Sequence, residues 1–340
     1  NEKRLEYFGG YTYIEEQFGA ARKFDDEITQ YHKDIAASIQ SATEIIISCI
    51  IDCALSMVST DNICIAGGVA LNCVATGKYI KKHPEKNVYV PPFACDTGIS
   101  VGAVLYQYAI EERKKPLNKI SKWFSPYQGY EITNNEIESA IVNYPTLIAE
   151  KIENPEKMAA QEIANGNVVG WVQGRAEVGP RALGNRSILA NPMLPHIKDT
   201  INEKVKYREV WRPFAPAICE EYLEEYFNNP QDANPYMTVV LGFKDDAKRL
   251  FPSVVHFDGT GRVQSVCAEL NPKFHNLINE FRQLTGHGMV LNTSFNLAGE
   301  PIVNSASDAM KDLVHSGIDV LFINNYQIKK KTVNYKKKLY

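Results

Sequence analysis

The sequence lacks any uninterrupted apolar stretch approaching the ~20 residues that cross a bilayer as a helix. Its most apolar run, Ile45–Ile51, is short and continues a helical pattern. No membrane partner is therefore expected. A secretory leader pattern is missing as well. The chain opens on Asn1 rather than Met, which reads as a fragment of a longer protein or a partial record. There is little net charge: 37 basic and 40 acidic side chains leave −3. That argues against a nucleic-acid partner, which calls for a basic surface. Seven cysteines, an odd number with no C-x-x-C, give no disulfide framework. Buried free thiols in a reducing, cytoplasmic compartment are expected instead. Cys49 and Cys53 share a helix face with no histidine near, and read as core. The seven histidines all lie more than ten residues apart, so there is no H-x-x-x-H pair and no zinc-like spacing.

Arginine is also scarce, 11 residues among the 37 basic ones. Five of these, Arg175, Arg181, Arg186, Arg208 and Arg212, fall between Gly170 and Pro213, among Gly174, Gly179 and Gly184. A guanidinium stays charged and presents a rigid fork of donors that matches phosphate oxygens. Glycine lets backbone N–H groups approach a polyanion closely. A solvated helical face would be rich in Lys and Glu and poor in Gly, so a site for a phosphorylated small molecule is the stronger reading.

At 340 residues, roughly two domains are expected. Apolar residues recur at three- and four-residue spacing from Phe24 to about Ser59, predicting a long helix. A β–α–β–α rhythm follows: a strand at Asn62–Gly68, a helix from Val69 to Lys82, a strand from Asn87, a helix to about Glu112. This rhythm predicts an α/β layer structure with a parallel sheet. Residues 113–150 are polar and aperiodic and read as a linker. Beyond them, helices are expected at Pro155–Asn165, His275–Thr285 and Ser305–His315, the last capped by Ser305 with Asp308 three residues on. Strands are expected at Val168–Val172, Tyr236–Leu241, Gly288–Asn292 and Ile318–Ile323.

Four further segments carry chemistry. Gly67 and Gly68 end a strand and start a helix, which suits either a backbone anion site or a plain turn. Asp96 follows a strand end, where it can bind a hard metal ion or cap the next helix. His256, Asp258, Thr260, Arg262 and Gln264 alternate, so on a strand they share one face, either a site wall or a solvent edge. Asn292, Thr293, Ser294 and Asn296 end another strand, as nucleotide contacts or as Asx and Ser/Thr turns.

Taken together, YFGGYTY (Tyr7–Tyr13), DIAASIQ (Asp34–Gln40), GGVALN (Gly67–Asn72), CDTGISVGA (Cys95–Ala103), GRAEVGPRALGNRSILANP (Gly174–Pro192), INEKVKYREVWRPFAP (Ile201–Pro216), HFDGTGRVQ (His256–Gln264) and LNTSFNLAGEPIV (Leu291–Val303) resemble the O-carbamoyltransferases of the nodulation-factor and antibiotic-tailoring type (NodU/CmcH-like). The match covers most of the chain, and GPRALGNRS is highly specific. The resemblance implies the C-terminal part of an actin-like ATPase (TsaD-like) domain over 1–115, a linker over 116–150, a YrdC-like α/β domain over 151–328 and a basic tail over 329–340. It implies that carbamoyl phosphate and ATP form carbamoyl adenylate, whose carbamoyl group passes to a hydroxyl of a small-molecule or glycoside acceptor.

By the same resemblance, Arg175, Arg181, Arg186, Arg208 and Arg212 hold carbamoyl phosphate and the ATP phosphates, with Lys204 and Lys206 adding point charges. Thr293, Ser294 and Asn296 contact the nucleotide, His256 and Arg262 join them, and Gly67, Gly68 and Asn72 face the adenylate. Asp96 matches the family's aspartate for a divalent metal, Fe or Mg. The family takes two metal-binding histidines from an H-x-x-x-H helix that this sequence does not contain, so an N-terminal segment or a second chain is expected to supply them. Two rivals stay open: a component of tRNA threonylcarbamoyl modification, and a non-catalytic subunit that only binds nucleotide.

Overall fold

The computed structural model describes residues 10–23, 26–111 and 123–331. The first residues of YFGGYTY, the 112–122 part of the expected linker region and residues 332–340 of the basic tail lie outside these. Contacts divide the chain into two units, Asn1–Val58 and Ser59–Tyr340.

The first unit holds helices α1 (Gly10–Phe18) and α2 (Gln30–Met57). Helix α2 begins where Thr29 and His32 cap it reciprocally: the Thr29 N–H donates to His32 Nδ1 at 3.1 Å. Ile51 is its one buried residue, while Ile39, Ile45, Ile46 and Ile50 are exposed. The sequence has no 20-residue apolar run, yet α2 is long and apolar enough to cross a membrane by length and composition. The difference is one of measure, since scattered polar residues interrupt the run without making the helix hydrophilic. A mostly buried core helix of a soluble protein passes the same test, but only 6% of this apolar window is buried, and Cys49 and Cys53, expected in the core, are exposed.

The second unit opens with β1 (Asn62–Cys64), α3 (Cys73–Lys82), β2 (Asn87–Tyr89) and α4 (Ile99–Glu111). Strands β1 and β2 pair in parallel across α3, as the β–α–β rhythm predicts. Helix α3 starts four residues later than expected. A 3-10 turn at Gly68–Leu71 comes first, and Asn72 then caps α3 by accepting the Ala75 N–H at 3.1 Å. Helix α4 buries none of its residues.

There follow α5 (Asn134–Val142), β3 (Leu147–Lys151), α6 (Pro155–Ala164), β4 (Val169–Val172), β5 (Arg186–Ala190), α7 (Ile197–Lys204), β6 (Ala215–Cys219), β7 (Val240–Gly242), β8 (Thr260–Arg262), β9 (Gln264–Val266), α8 (Pro272–Thr285), β10 (Met289–Ser294), α9 (Ala306–Val314), β11 (Val320–Ile323) and β12 (Tyr326–Lys330). Eight of these strands form one sheet in the order β3-β12-β11-β4-β5-β10-β6-β9, and β7 pairs with β8 separately. Unlike the parallel β1–β2 pair, this large sheet is mixed. Only β4–β11 and β6–β9 run parallel, while β4–β5, β5–β10 and β6–β10 are antiparallel. The protein is thus a mixed α/β structure built on a large mixed sheet.

Both faces of that sheet are covered, which explains its near-continuous apolar strands. On one face Trp171, Leu189, Val290 and Phe322 pack against α6 and α8. Helix α8 presents Phe274, Leu277, Ile278 and Phe281 at helical spacing, all fully buried. Asn271 caps it by accepting the Phe274 N–H at 3.1 Å, and Pro272 starts it. The helix is therefore three residues longer than periodicity alone suggests. On the other face Ile188, Leu291 and Leu321 pack against Ala306, Ala309, Met310 and Leu313 of α9. Ser305 and Asp308 form the expected capping box of α9. Residues 123–150, inside the span read as linker, carry α5 and all but the last residue of the edge strand β3.

Candidate functional site

Strand β10 ends at Thr293 and Ser294 beside the beginnings of β5 and β6, with Ser294 opposite Ser187 and Asn292 opposite Ala215. A cavity of about 110 Å³ sits at this end of the sheet. Its wall includes Arg181, Arg208 and Arg262 together with Asn292, Thr293 and Ser294, and no carboxylate lines it among the described residues. Three guanidiniums of like charge in one small cavity repel each other. Burial, then Arg181 and Arg208, pull Arg262 down to about 10. Burial and Arg212 likewise lower Arg208, whose Nε donates to Asn202 Oδ1 at 2.7 Å while its guanidinium lies 4.9 Å from the Phe214 ring centroid. The buried Nε groups of Arg181 and Arg262 and the Oδ1 of Asn292 have no partner. Unsatisfied buried donors are rare in folded proteins and costly. An anion in the cavity would cancel the repulsion among the three guanidiniums.

The Cys73 thiol, at the start of α3, feels both Arg262 and Arg181, although burial outweighs them and raises it. The N-terminus of α3 therefore borders the arginine cluster. A second cavity of about 410 Å³ shares Pro180 and Ser294 with the first. Glu177, Asn296, Glu300 and Asn304 line it, and no basic residue does. Under the shared wall, Lys206 is buried. Its Nζ donates toward Ser294 O at 2.5 Å, Asn296 Oδ1 at 2.9 Å and Asn296 O at 3.0 Å, with Ser294 Oγ at 3.2 Å. Burial and Arg208 pull Lys206 down to about 7.

The five expected arginines separate. Arg181 and Arg208 line the anion cavity, joined by Arg262. Arg186 is fully buried. It opens β5, and its guanidinium donates to four backbone carbonyls: Gln173 and Asn185 from Nη1 at 3.0 and 2.8 Å, Tyr130 and Gly174 from Nη2 at 2.9 and 3.1 Å. Arg175 is exposed and donates to Gln128 O at 3.2 Å. Arg212 pairs with Glu209 at 3.0 Å. Lys204 is exposed, and its carbonyl accepts the Gly317 N–H at 2.7 Å.

The polar run from His256 to Gln264 is not one strand. His256 N–H donates to Thr260 O at 2.7 Å, closing a turn, and His256 Nδ1 lies 3.1 Å from Thr260 Oγ1. Arg262 and Gln264 then fall on β8 and β9 of different sheets. Arg262 reaches the cavity, and Gln264 donates to Leu183 O at 2.7 Å behind it. Gly67 and Gly68 face open space at the 3-10 turn, and Asn72 is occupied as a cap. Asp96 is exposed in a 3-10 turn before α4 and belongs to no cluster of three metal-ligating side chains among the described residues. The residues around it do not fit a metal site. The glycines of the arginine window serve packing as well as freedom. A Cβ on Gly179 (φ +115°) would lie 2.2 Å from Pro92 O, and one on Gly184 (φ +105°) 2.2 Å from Phe274.

One residue at the centre of the site has no counterpart among the expected ones. Glu177 Oε1 accepts the N–H groups of Leu183 at 2.7 Å, Asn185 at 2.7 Å and Arg186 at 3.2 Å. Its sequence signal is faint: a lone acid between Arg175 and Arg181.

Comparison with known proteins places the chain among its relatives. The family model described as "Carbamoyltransferase C-terminus" matches residues 160–330, and "Carbamoyltransferase N-terminus" matches 5–105. Nodulation protein NolNO of Sinorhizobium fredii is 38% identical over 90% of this chain and 45% of its own length. Nodulation protein NolO of Bradyrhizobium diazoefficiens is 35% identical over 95% and 60%. An uncharacterized Synechocystis protein is 36% identical over 92% and 55%. The chain thus spans about half the length of the curated relatives it matches. A crystal structure of full-length HypF in the phosphate- and nucleotide-bound form aligns with a TM-score of 0.37 and 15% identity, over 55% of this chain and 23% of that one. With a family model spanning residues 160–330, half of its length, the chain belongs to the carbamoyltransferase family.

Proposed function

We propose that the chain acts in ATP-dependent O-carbamoyl transfer to a hydroxyl of a small molecule or glycoside. On this reading water releases phosphate from carbamoyl phosphate. A carbamate oxygen then attacks the α-phosphorus of ATP, forming carbamoyl adenylate and expelling pyrophosphate. The carbamoyl group next moves to the acceptor oxygen and AMP leaves. The observation that carries this reading is the convergence of Arg181, Arg208 and Arg262, two of them with unpartnered Nε groups, on a cavity with no carboxylate in its wall. Fixed positive charge around transferring phosphoryl oxygens is usually the largest catalytic term. The adjoining cavity, with Glu177, Asn296 and Glu300 as acceptors and no cation, suits the hydroxyls and amine of a nucleoside.

The finer architecture belongs to the same reading: a TsaD-like part over 1–115, a linker over 116–150 and a YrdC-like domain over 151–328, which takes in most of the mixed sheet. No step is assigned to a metal at Asp96.

The test is pyrophosphate release from the purified chain given MgATP and carbamoyl phosphate. Wild type should release it, and Arg181→Ala should slow release roughly 10²–10³-fold, as for loss of one preorganised donor. A folded wild type that binds ATP but releases no pyrophosphate would favour the non-catalytic reading.

A further inference from the structure

We propose that Glu177 is a positioning residue that presents Arg181 to the anion, an inference that rests on the reading above. From Val178 to Asn185 the chain has no regular structure, and it rejoins the sheet at Arg186, where β5 begins. A loop of that kind holds a charged side chain in place only if its own backbone is fixed. Here one oxygen holds three of its N–H groups: Glu177 Oε1 gathers those of Leu183, Asn185 and Arg186, while the Leu183 carbonyl accepts from Tyr127 Oη and Gln264 Nε2 at 2.9 and 2.7 Å. Two further bonds lock the far end, with Gly184 N–H donating to Ser187 Oγ at 3.1 Å and Asn185 Nδ2 to Arg175 O at 2.8 Å. Arg181 sits at the crown of this loop, its Nε free of any partner. Among the described residues no hydrogen bond or ion pair holds its side chain, so the backbone beneath it sets its aim. Burial raises the Glu177 carboxyl, opposed by those N–H donors and by Arg186. An acid is kept in a setting that disfavours its charge, and the loop is what it holds.

The choice of substitution separates acceptor position from charge. Glu177→Asp keeps the charge but shortens the reach by one methylene, so one oxygen cannot meet three N–H groups. Glu177→Gln keeps an oxygen at the same place as a weaker, neutral acceptor. Two measurements on the full chain decide the matter. In hydrogen exchange, the 183–186 amides should lose protection in Glu177→Asp and lose less in Glu177→Gln, with the rest of the sheet unchanged. In calorimetric titration with inorganic pyrophosphate, Arg181→Ala should weaken binding roughly 10–100-fold, the range for one charge-assisted hydrogen bond. Glu177→Asp should weaken it nearly as much, and the Glu177→Asp/Arg181→Ala pair no more than Arg181→Ala alone. A general structural role for Glu177 predicts instead that the two losses multiply.

Unchanged exchange at 183–186 in Glu177→Asp overturns the inference, as do multiplying losses. If the amides loosen but wild type binds no pyrophosphate, the functional reading fails while the positioning role stands. Glu177→Gln is the variant that tolerates folding best, so its exchange and binding keep the test decisive if Glu177→Asp does not fold.

Discussion

Replacing Arg262 with methionine should stabilise the ligand-free protein while weakening its response to anions. The drop in Arg262 from 12.5 to about 10 corresponds to about 3 kcal/mol of unfavourable charge in the fold. The sign follows from linkage. A base whose folded pKa lies below its unfolded value is charged in both states at neutral pH, so the penalty is fully present there. It fades only as pH rises through 10 and the folded state releases the proton. Methionine retains an apolar stem, removes the charge and leaves no unpartnered Nε. Relaxation and water entry reduce the gain, so about 1–3 kcal/mol is expected. At ~2–4 °C per kcal/mol, this raises Tm by several degrees. The assay is thermal unfolding in low-salt buffer, with and without pyrophosphate. Wild type should gain about 2.7 kcal/mol at a pyrophosphate concentration 100 times its Kd, and a variant that binds roughly 10–100-fold more weakly should gain only about 0.4–1.4 kcal/mol. An Arg262→Met protein that melts lower than wild type in anion-free buffer, and responds equally to pyrophosphate, would refute the idea of a strained anion cavity.

Arg186→Lys should destabilise the fold by about 2–4 kcal/mol, because one ammonium cannot serve four carbonyls arranged for a planar fork. Chemical denaturation measures this, and an unchanged midpoint would mean the guanidinium is dispensable to folding. Asp312 is buried, and that burial together with Glu300 pushes its carboxyl up to about 7 from 3.8. An acid with a raised folded pKa holds an extra proton in the fold between these values. Its stabilising effect is therefore complete at about pH 4 and is lost as pH rises through 7, at most about 4 kcal/mol. Asp312→Asn should remove that decline, so Tm curves for variant and wild type from pH 4.5 to 8 should diverge. Parallel curves would show that Asp312 titrates normally.

Local signals in the sequence were good guides to local structure. The capping box at Ser305, the apolar run of β10 and the helical spacing of α8 follow from rules spanning a few residues. Arg181 and Arg208 stand out because arginine is rare here. The segment Ser187–Ala190 is also apolar, and reading it as a strand would have shown that Arg186, its first residue, is drawn into the sheet. Arg262 was expected in the site because polar residues alternate around it, yet the chain turns at His256–Thr260 and the alternation belongs to no single strand. Strand order was not legible at all. That β4 lies between β5 and β11 depends on contacts between residues far apart in sequence. Glu177 escaped notice for a related reason: its partners are backbone N–H groups, which leave no trace in residue identity.

Ser294 and Pro180 belong to both cavities, and Lys206 clamps Ser294 to Asn296 from below. The two compartments therefore have one party wall and cannot be remodelled independently. A designer who enlarges the roomier chamber for a bulkier occupant will also shift the three guanidiniums' neighbour. Useful variants should emerge as paired substitutions, one on each side of Ser294, rather than as single changes.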